Sequence, residues 1–464
     1  MQLVYPHGAG VNMGTGPRFH LLDIGHPEYV AVVEADSAFW TLAPREQAVD
    51  FVLGTDLPRE FAARYEQFQA EMQALRFGLT PSAVYFNPTE RCNLNCSYCY
   101  LPEEMRRAGV DMAAADLLRA MEILAEYFAA SMPEGSVPPQ IIFHGSEPLL
   151  RREIIFPAME KYAERFRFGI QTNATLLDDE ALQFIQQRQI SLGISLDAHL
   201  AAVNDQTRHT WGSQGVFGQV NQVLEKLAGY PNYSVMCTVT QANVDYLTDI
   251  VDFFHEKQVR VAMLNPVRCT QPGGRAAKTD DQVLARRFIA ALDRAGELYN
   301  QTGRRLVLAN FANILIGVVA PTARRLMCDI SPCGGGRCFF AVAATGDLFP
   351  CSEFIGLPEF KGGNLFQDDI PAVLASPQFR RVSQRRVEDF APCADCAIRH
   401  FCGSPCPAEV YTTTGTMHAP APYCEFYVEQ VKYAFRVIAD QRLDAFLWEG
   451  WHEGTEKTFA VEGW

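Results

Sequence analysis

The stretch Pro88-Thr-Glu-Arg-Cys-Asn-Leu-Asn-Cys-Ser-Tyr-Cys-Tyr100 places three cysteines, Cys92, Cys96 and Cys99, at C-x3-C-x2-C spacing. A 4Fe–4S cluster held by four thiolates has no open coordination position, whereas three thiolates leave one iron free to bind a small molecule. The apolar run Ala83-Val-Tyr-Phe-Asn87 just upstream reads as a strand, so the cysteines occupy the loop leaving its C-terminal end. In barrel-type α/β folds that end carries the active site. The spacing alone also fits a structural zinc knuckle.

The 464 residues, 48% hydrophobic and 20% charged, are enough for two or three domains. From 83 to about 310, apolar runs at 83–87, 141–144, 168–171, 190–196, 234–239 and 261–264 alternate with helical patterns such as 113–130, 180–187, 216–228 and 244–256. This alternation predicts a parallel sheet with helices outside it. Residues 1–82 carry β-like runs at 18–23, 29–33 and 37–42, then helical patterns beginning near Pro44 and Pro58. The second places Phe61, Tyr65, Phe68 and Met72 on one face, which predicts a small α+β module. No run of eighteen or more apolar residues predicts a membrane span, and the N-terminus has no basic start or apolar core of a secretion signal. The expectation is a cytoplasmic chain, whose fourteen cysteines read as metal ligands before disulfides. A formal charge of −14 without a basic tract argues against a nucleic-acid partner.

The cysteine loop, with Tyr98 in the aromatic position, resembles that of the radical S-adenosylmethionine (SAM) superfamily. The resemblance implies a partial (β/α)6 TIM-type barrel over 83–310 and a SAM-binding 4Fe–4S cluster on Cys92, Cys96 and Cys99. It also implies that SAM chelates the fourth iron and is cleaved reductively to a 5′-deoxyadenosyl radical, which abstracts hydrogen from the substrate. Gly145-Ser-Glu-Pro148 is similar to the family's Gly-Gly-Glu-Pro stretch, which puts Gly145, Ser146 and Glu147 around the amino group of SAM. Ser195 matches the ribose contact and Arg208 the partner of the methionine carboxylate, which a guanidinium grips with two parallel hydrogen bonds.

From 311 to 424 the composition changes, and nine of the fourteen cysteines lie between Cys328 and Cys424. Cys333-x12-Gly346-x4-Cys351 has a strand–turn–strand look, and Cys393, Cys396, Cys402 and Cys406 read C-x2-C-x5-C-x3-C before a lone Cys424. Both halves resemble the SPASM pattern. This implies two auxiliary 4Fe–4S clusters, the first on Cys333, Cys351 and Cys406, the second on Cys393, Cys396, Cys402 and Cys424. Sulfatase-maturing members complete the first with a cysteine a few residues upstream, a role Cys328 suits, which leaves Cys338 surplus; a swap of the two, or an iron left for a substrate thiolate, stays open. Two zinc sites are the rival for the region. Cys237 and Cys269 stand apart, as a small buried hydrophobe and a loop thiol. Residues 425–464 carry one amphipathic helix, about 426–447, and a tail with Trp448, Trp451 and Trp464.

The resemblance points to an enzyme that modifies a ribosomally made peptide or protein by thioether or carbon–carbon cross-linking or by epimerisation, drawing electrons from a donor such as flavodoxin or ferredoxin. The module at 1–82 loosely resembles a peptide-recognition element, where a leader peptide adds a strand to a sheet edge. One alternative is formylglycine maturation, but the relatives that perform it carry Cys-Asp where this chain has Cys351-Ser352-Glu353. Two others are decarboxylation of a small metabolite and an electron carrier without SAM chemistry.

Overall fold

A computed structural model describes residues 19–48 and 59–451, side chains within 59–64 excepted. Strands β1 (Phe19–Leu22), β2 (Tyr29–Glu34) and β3 (Phe39–Pro44) form an antiparallel sheet. A second sheet holds β4 (Ala83–Phe86), β5 (Gln140–Phe143), β6 (Arg167–Thr172), β7 (Ser191–Ser195), β8 (Tyr233–Val239), β9 (Val261–Pro266), β10 (Val307–Leu308), β11 (Phe339–Val342), β12 (Asp347–Phe349) and β13 (Gly363–Asn364). Its order is β10-β9-β8-β7-β6-β5-β4-β11-β12-β13. The pairs from β10 to β11 are parallel. Leu192, Ile194, Val235, Cys237, Ala262 and Leu264 are fully buried, as parallel strands covered on both faces require. Helices fill the crossovers. Ala114–Ser131 turns Leu117, Ala120, Met121, Leu124 and Phe128 inward, and Asp178 and Asp280 cap the helices Asp179–Gln187 and Asp281–Thr302.

The sheet extends beyond the six strands expected from the sequence. β10 has two residues, too few to show a period. β11 pairs in parallel with β4, Phe339 opposite Ala83 and Val342 opposite Phe86, and β12 and β13 continue antiparallel. The buried run Phe339-Phe-Ala-Val342 thus covers the edge that β4 would otherwise expose. As a result the cysteine-rich region and the barrel share one sheet.

In the N-terminal module the Phe39 ring packs edge-on against Tyr65 and Phe68 of the helix Arg59–Phe77, at 6.1 and 5.9 Å. The helical pattern expected from Pro44 runs into residues 49–58, outside the described residues, as do the Phe61 side chain and Trp464. Trp40 donates to the Val318 carbonyl at 2.7 Å, Arg337 to that of Leu75 at 2.7 Å, and Arg76 to Glu388 at 2.5 Å. Asp36, Glu388 and His400 bring three potential metal ligands together. Arg399 and Arg76 already pair the two carboxylates, and burial with the charges of Arg76, Arg399 and Arg324 holds His400 well below its ordinary pKa. This cluster is an ion-pair junction between the module and the cysteine-rich region.

The C-terminal helix runs Cys424–Ala439 and stops short of the expected 447, where Gln441 takes a φ of +57°. Phe288 and Phe426 meet edge-on at 5.2 Å, seating this helix on Asp281–Thr302. Among the described residues no helix is long and apolar enough to cross a membrane.

Candidate active site

The three-cysteine loop leaves the C-terminal end of β4 and is tied down on all sides. The Cys92 N–H donates to the Arg106 carbonyl (2.9 Å), Asn95 N–H to His209 (2.8 Å) and Ser97 N–H to Thr207 (3.0 Å). The Trp211 indole N–H donates to the Cys92 carbonyl at 2.9 Å. Ser146 Oγ donates to the Glu90 carbonyl at 2.6 Å, which lays the turn after β5 against the loop. Gly145 makes that contact possible: its φ is +104°, and a Cβ there would meet Asn87 Nδ2 at 2.1 Å. A Cβ at Gly273 would meet the Ser97 carbonyl oxygen at 2.0 Å.

Around the loop stands a ring of buried polar residues from successive strand ends. Glu147 is fully buried and accepts from Leu149 N–H (3.1 Å), Thr172 Oγ1 (2.7 Å) and Asn173 N–H (2.9 Å). Burial raises it to about 7 although these donors pull the other way. Its carboxylate is therefore spent on joining the ends of β5 and β6. Asn173 Nδ2 reaches Asn93 Oδ1 at 2.9 Å and lies 3.9 Å from Cys92 Sγ. Arg208 donates to Tyr98 Oη at 2.7 Å and lies 3.8 Å from Asp197, to which the Tyr98 hydroxyl donates a short hydrogen bond. Its Nε is buried without a partner. Ser195, half-buried, ends β7.

The other cysteines fall into two groups. Cys328, Cys333, Cys351 and Cys406 lie within reach of one another's charge, as do Cys393, Cys396, Cys402 and Cys424, which also line one small cavity. Cys338 sits in the hydrophobic core at the head of β11 and faces Cys333 alone among the cysteines, so the geometry favours Cys328 for the first group. Cys237 is fully buried, and Cys269 packs beside Tyr423 and Glu409.

Sequence profiles match this arrangement, the radical SAM superfamily over residues 86–254 and the SPASM iron–sulfur cluster-binding domain over 333–397. An uncharacterized protein of Archaeoglobus fulgidus is 41% identical over 404 residues, 87% of this chain and 91% of its own. The chain belongs to the radical SAM superfamily. A serine-type anaerobic sulfatase-maturating enzyme of Bacteroides thetaiotaomicron is 22% identical, over 74% of this chain and 86% of its own. Among solved structures, anSMEcpe with bound AdoMet and Cp18Cys peptide superposes with a TM-score of 0.67 at 19% identity, covering 78% of this chain and 99% of its own. Streptococcus suis SuiB bound to precursor peptide SuiA gives 0.56 at 14%, covering 86% and 98%. At such identities the likeness shows the fold.

The radical SAM cofactors fit the donor set. Three thiols on one loop and two groups of four thiols are the ligand type and number that iron–sulfur clusters take. Burial pushes Cys92 up to about 12 and Cys99 to about 11, so these thiols hold their protons until a metal displaces them.

Between the loop and the group around Cys351 lies Tyr100, within reach of the charges of Cys99, Cys351 and Glu353. The His144 ring stacks on Tyr100 at 6.4 Å and meets Tyr85 edge-on at 5.3 Å. Arg268 bridges Glu353 (3.7 Å) and Glu409 (3.3 Å). His144 Nδ1 and Glu353 Oε2 are buried without partners, and the Tyr100 hydroxyl interacts with Ser352. A larger cavity, about 820 Å³, opens at the opposite end of the barrel, around Gln140, Phe168, Ser191 and Trp448, away from every cysteine group. Arg106, Trp211, Tyr100 and His144 carry no role that the sequence marks, whereas Asn173 lies in the stretch 171–177, which resembles a superfamily segment. Each of the four neighbours a recognised motif in sequence or space, but none has a spacing of its own.

Proposed function

We propose that this radical SAM enzyme cross-links or epimerises residues of a ribosomally made peptide or protein, with the target side chain held beside Tyr100, His144 and Glu353. The observation that carries the reading is the pair of buried polar atoms without partners there, His144 Nδ1 and Glu353 Oε2, beside the Tyr100 ring. Buried groups of this kind call for a hydrogen-bonding guest. Burial lowers His144 to about 4, so the imidazole is neutral at pH 7 and can accept as well as donate.

Cys92, Cys96 and Cys99 would hold the SAM-binding cluster. Cys328, Cys333, Cys351 and Cys406 would hold the first auxiliary cluster, and Cys393, Cys396, Cys402 and Cys424 the second. When bound, the SAM-binding cluster would supply the electron for reductive cleavage of SAM. Arg208, steered by Tyr98 and Asp197, grips the methionine carboxylate; the backbone of Gly145 and Ser146 takes the amino group; Ser195 contacts the ribose. Because Glu147 is consumed internally, its part is to fix that backbone. Glu353, raised by burial to about 7, stands where a substrate proton can be taken. Flavodoxin or ferredoxin would donate the electron, in the cytoplasm. The N-terminal sheet would receive the leader of the substrate peptide.

Formylglycine formation is the second reading, supported by the sulfatase-maturating relatives and opposed by Ser352-Glu353 in place of Cys-Asp. The discriminating experiment incubates reconstituted enzyme, SAM and a reductant with short peptides encoded beside the gene and with a sulfatase peptide. A two-hydrogen mass loss, or solvent deuterium at an α-carbon, in the neighbouring peptide supports the proposal. An aldehyde formed in the sulfatase peptide alone contradicts it.

A further inference from the structure

Arg106 is 6% exposed, lies seven residues beyond Cys99, and matches none of the motifs above. Its Nε donates to the Leu101 carbonyl at 3.2 Å, and its Nη1 to Asn95 Oδ1 at 3.0 Å and the Leu94 carbonyl at 3.5 Å. Its own carbonyl accepts from Cys92 N–H. One side chain thus grips the loop on both sides of Cys96 and Cys99 while its backbone holds Cys92. The Trp211 ring lies over the guanidinium at 5.5 Å, and its N–H closes onto the Cys92 carbonyl.

The loop gathers three thiols near the buried carboxylates of Glu147 and Asp197. Three thiolates bound to a cluster add negative charge to that pocket, and reduction adds one more. Two buried guanidiniums face them. Arg208 is committed to Tyr98 and Asp197. Arg106 has no carboxylate partner among its hydrogen bonds, and its charge acts on Cys96 and Cys99 against the effect of burial. In a poorly solvated site a fixed positive charge favours the more negative redox state, and net charge and hydrogen bonding are levers on cluster potential.

We infer that Arg106 is a positioning residue for the SAM-binding cluster: it shapes the three-cysteine loop and, through its uncompensated charge, raises the reduction potential of the cluster held there. The inference rests on Cys92, Cys96 and Cys99 being the ligands of that cluster.

The test is an EPR-monitored redox titration of the full chain with all clusters reconstituted, following the signal that changes when SAM is added. That change in the unmodified protein checks the ligand assignment separately: its absence removes the assignment on which the inference stands. Arg106→Met is expected to lower the midpoint potential of this signal with iron content retained, and Arg106→Lys to stay near the unmodified value. An unchanged midpoint in Arg106→Met, or an equal fall in both variants, overturns the role of the charge. Should Arg106→Met fail to load the cluster, loading and an unshifted potential in Arg106→Lys support the inference, and failure of both variants to load overturns it. Trp211→Phe, which keeps the charge and removes the indole N–H, is expected to leave the midpoint unchanged; a fall equal to that of Arg106→Met overturns the inference.

Discussion

Arg208, the proposed partner of the SAM carboxylate, shows how a buried guanidinium is held in place. Left alone in the protein interior a guanidinium is costly, and here the Tyr98 hydroxyl and Asp197 hold it while leaving its Nε open. Arg208→Gln should weaken SAM binding by about 10- to 100-fold, the worth of one charge-assisted pair at about 1.5–3 kcal/mol. Iron content should stay unchanged, and equilibrium binding of SAM to the reconstituted enzyme reads the difference. Glu147 is engaged within the protein, by Leu149, Thr172 and Asn173. Glu147→Gln puts an amide donor among three donors and should cost about 1–3 kcal/mol, seen as a lower thermal midpoint. The sequence marked Arg208, Ser195 and Glu147 through register with family motifs. It could not show that Tyr98 presents its hydroxyl to Arg208, nor that Asn173 lies beside Cys92, because both contacts join residues about 80 to 110 positions apart.

Elements were legible in proportion to their length and period. The strands and helices of the barrel stand within a few residues of their sequence expectations because apolar runs and 3.6-residue patterns mark them directly. β10 and β13, two residues each, leave no such trace. The turn after β5 resembles a family motif in sequence, and the reason for its glycine is three-dimensional: Gly145 abuts Asn87 at the end of β4. Gly145→Ala should cost about 2–4 kcal/mol through its positive φ and the clash, lowering the soluble yield. Gly273→Ala, pressing on the Ser97 carbonyl, should cost the protein one cluster's worth of iron while leaving the rest, as measured by iron analysis and by loss of the SAM-dependent spectral change.

The larger sheet is parallel from β10 to β11, and its strand β4 is flanked by the cysteine-rich hairpin, so the three-cysteine loop after β4 and the strands β11 and β12 are fixed by one set of ladder hydrogen bonds. The sequence suggested separate barrel and SPASM parts; pairing between strands more than 250 residues apart has no local signature. A truncation before β11 would bare the apolar edge of β4, and we expect aggregation in place of a folded barrel, read by size-exclusion chromatography. The central claim is that a three-thiolate loop at the barrel mouth holds a cluster that cleaves SAM. Its most direct test is 5′-deoxyadenosine formation by the anaerobically reconstituted, reduced protein, beside the Cys92→Ala/Cys96→Ala/Cys99→Ala variant. The account predicts product from the first and none from the second, with the auxiliary iron retained; equal product from both, or none from either when all clusters are loaded, would contradict it.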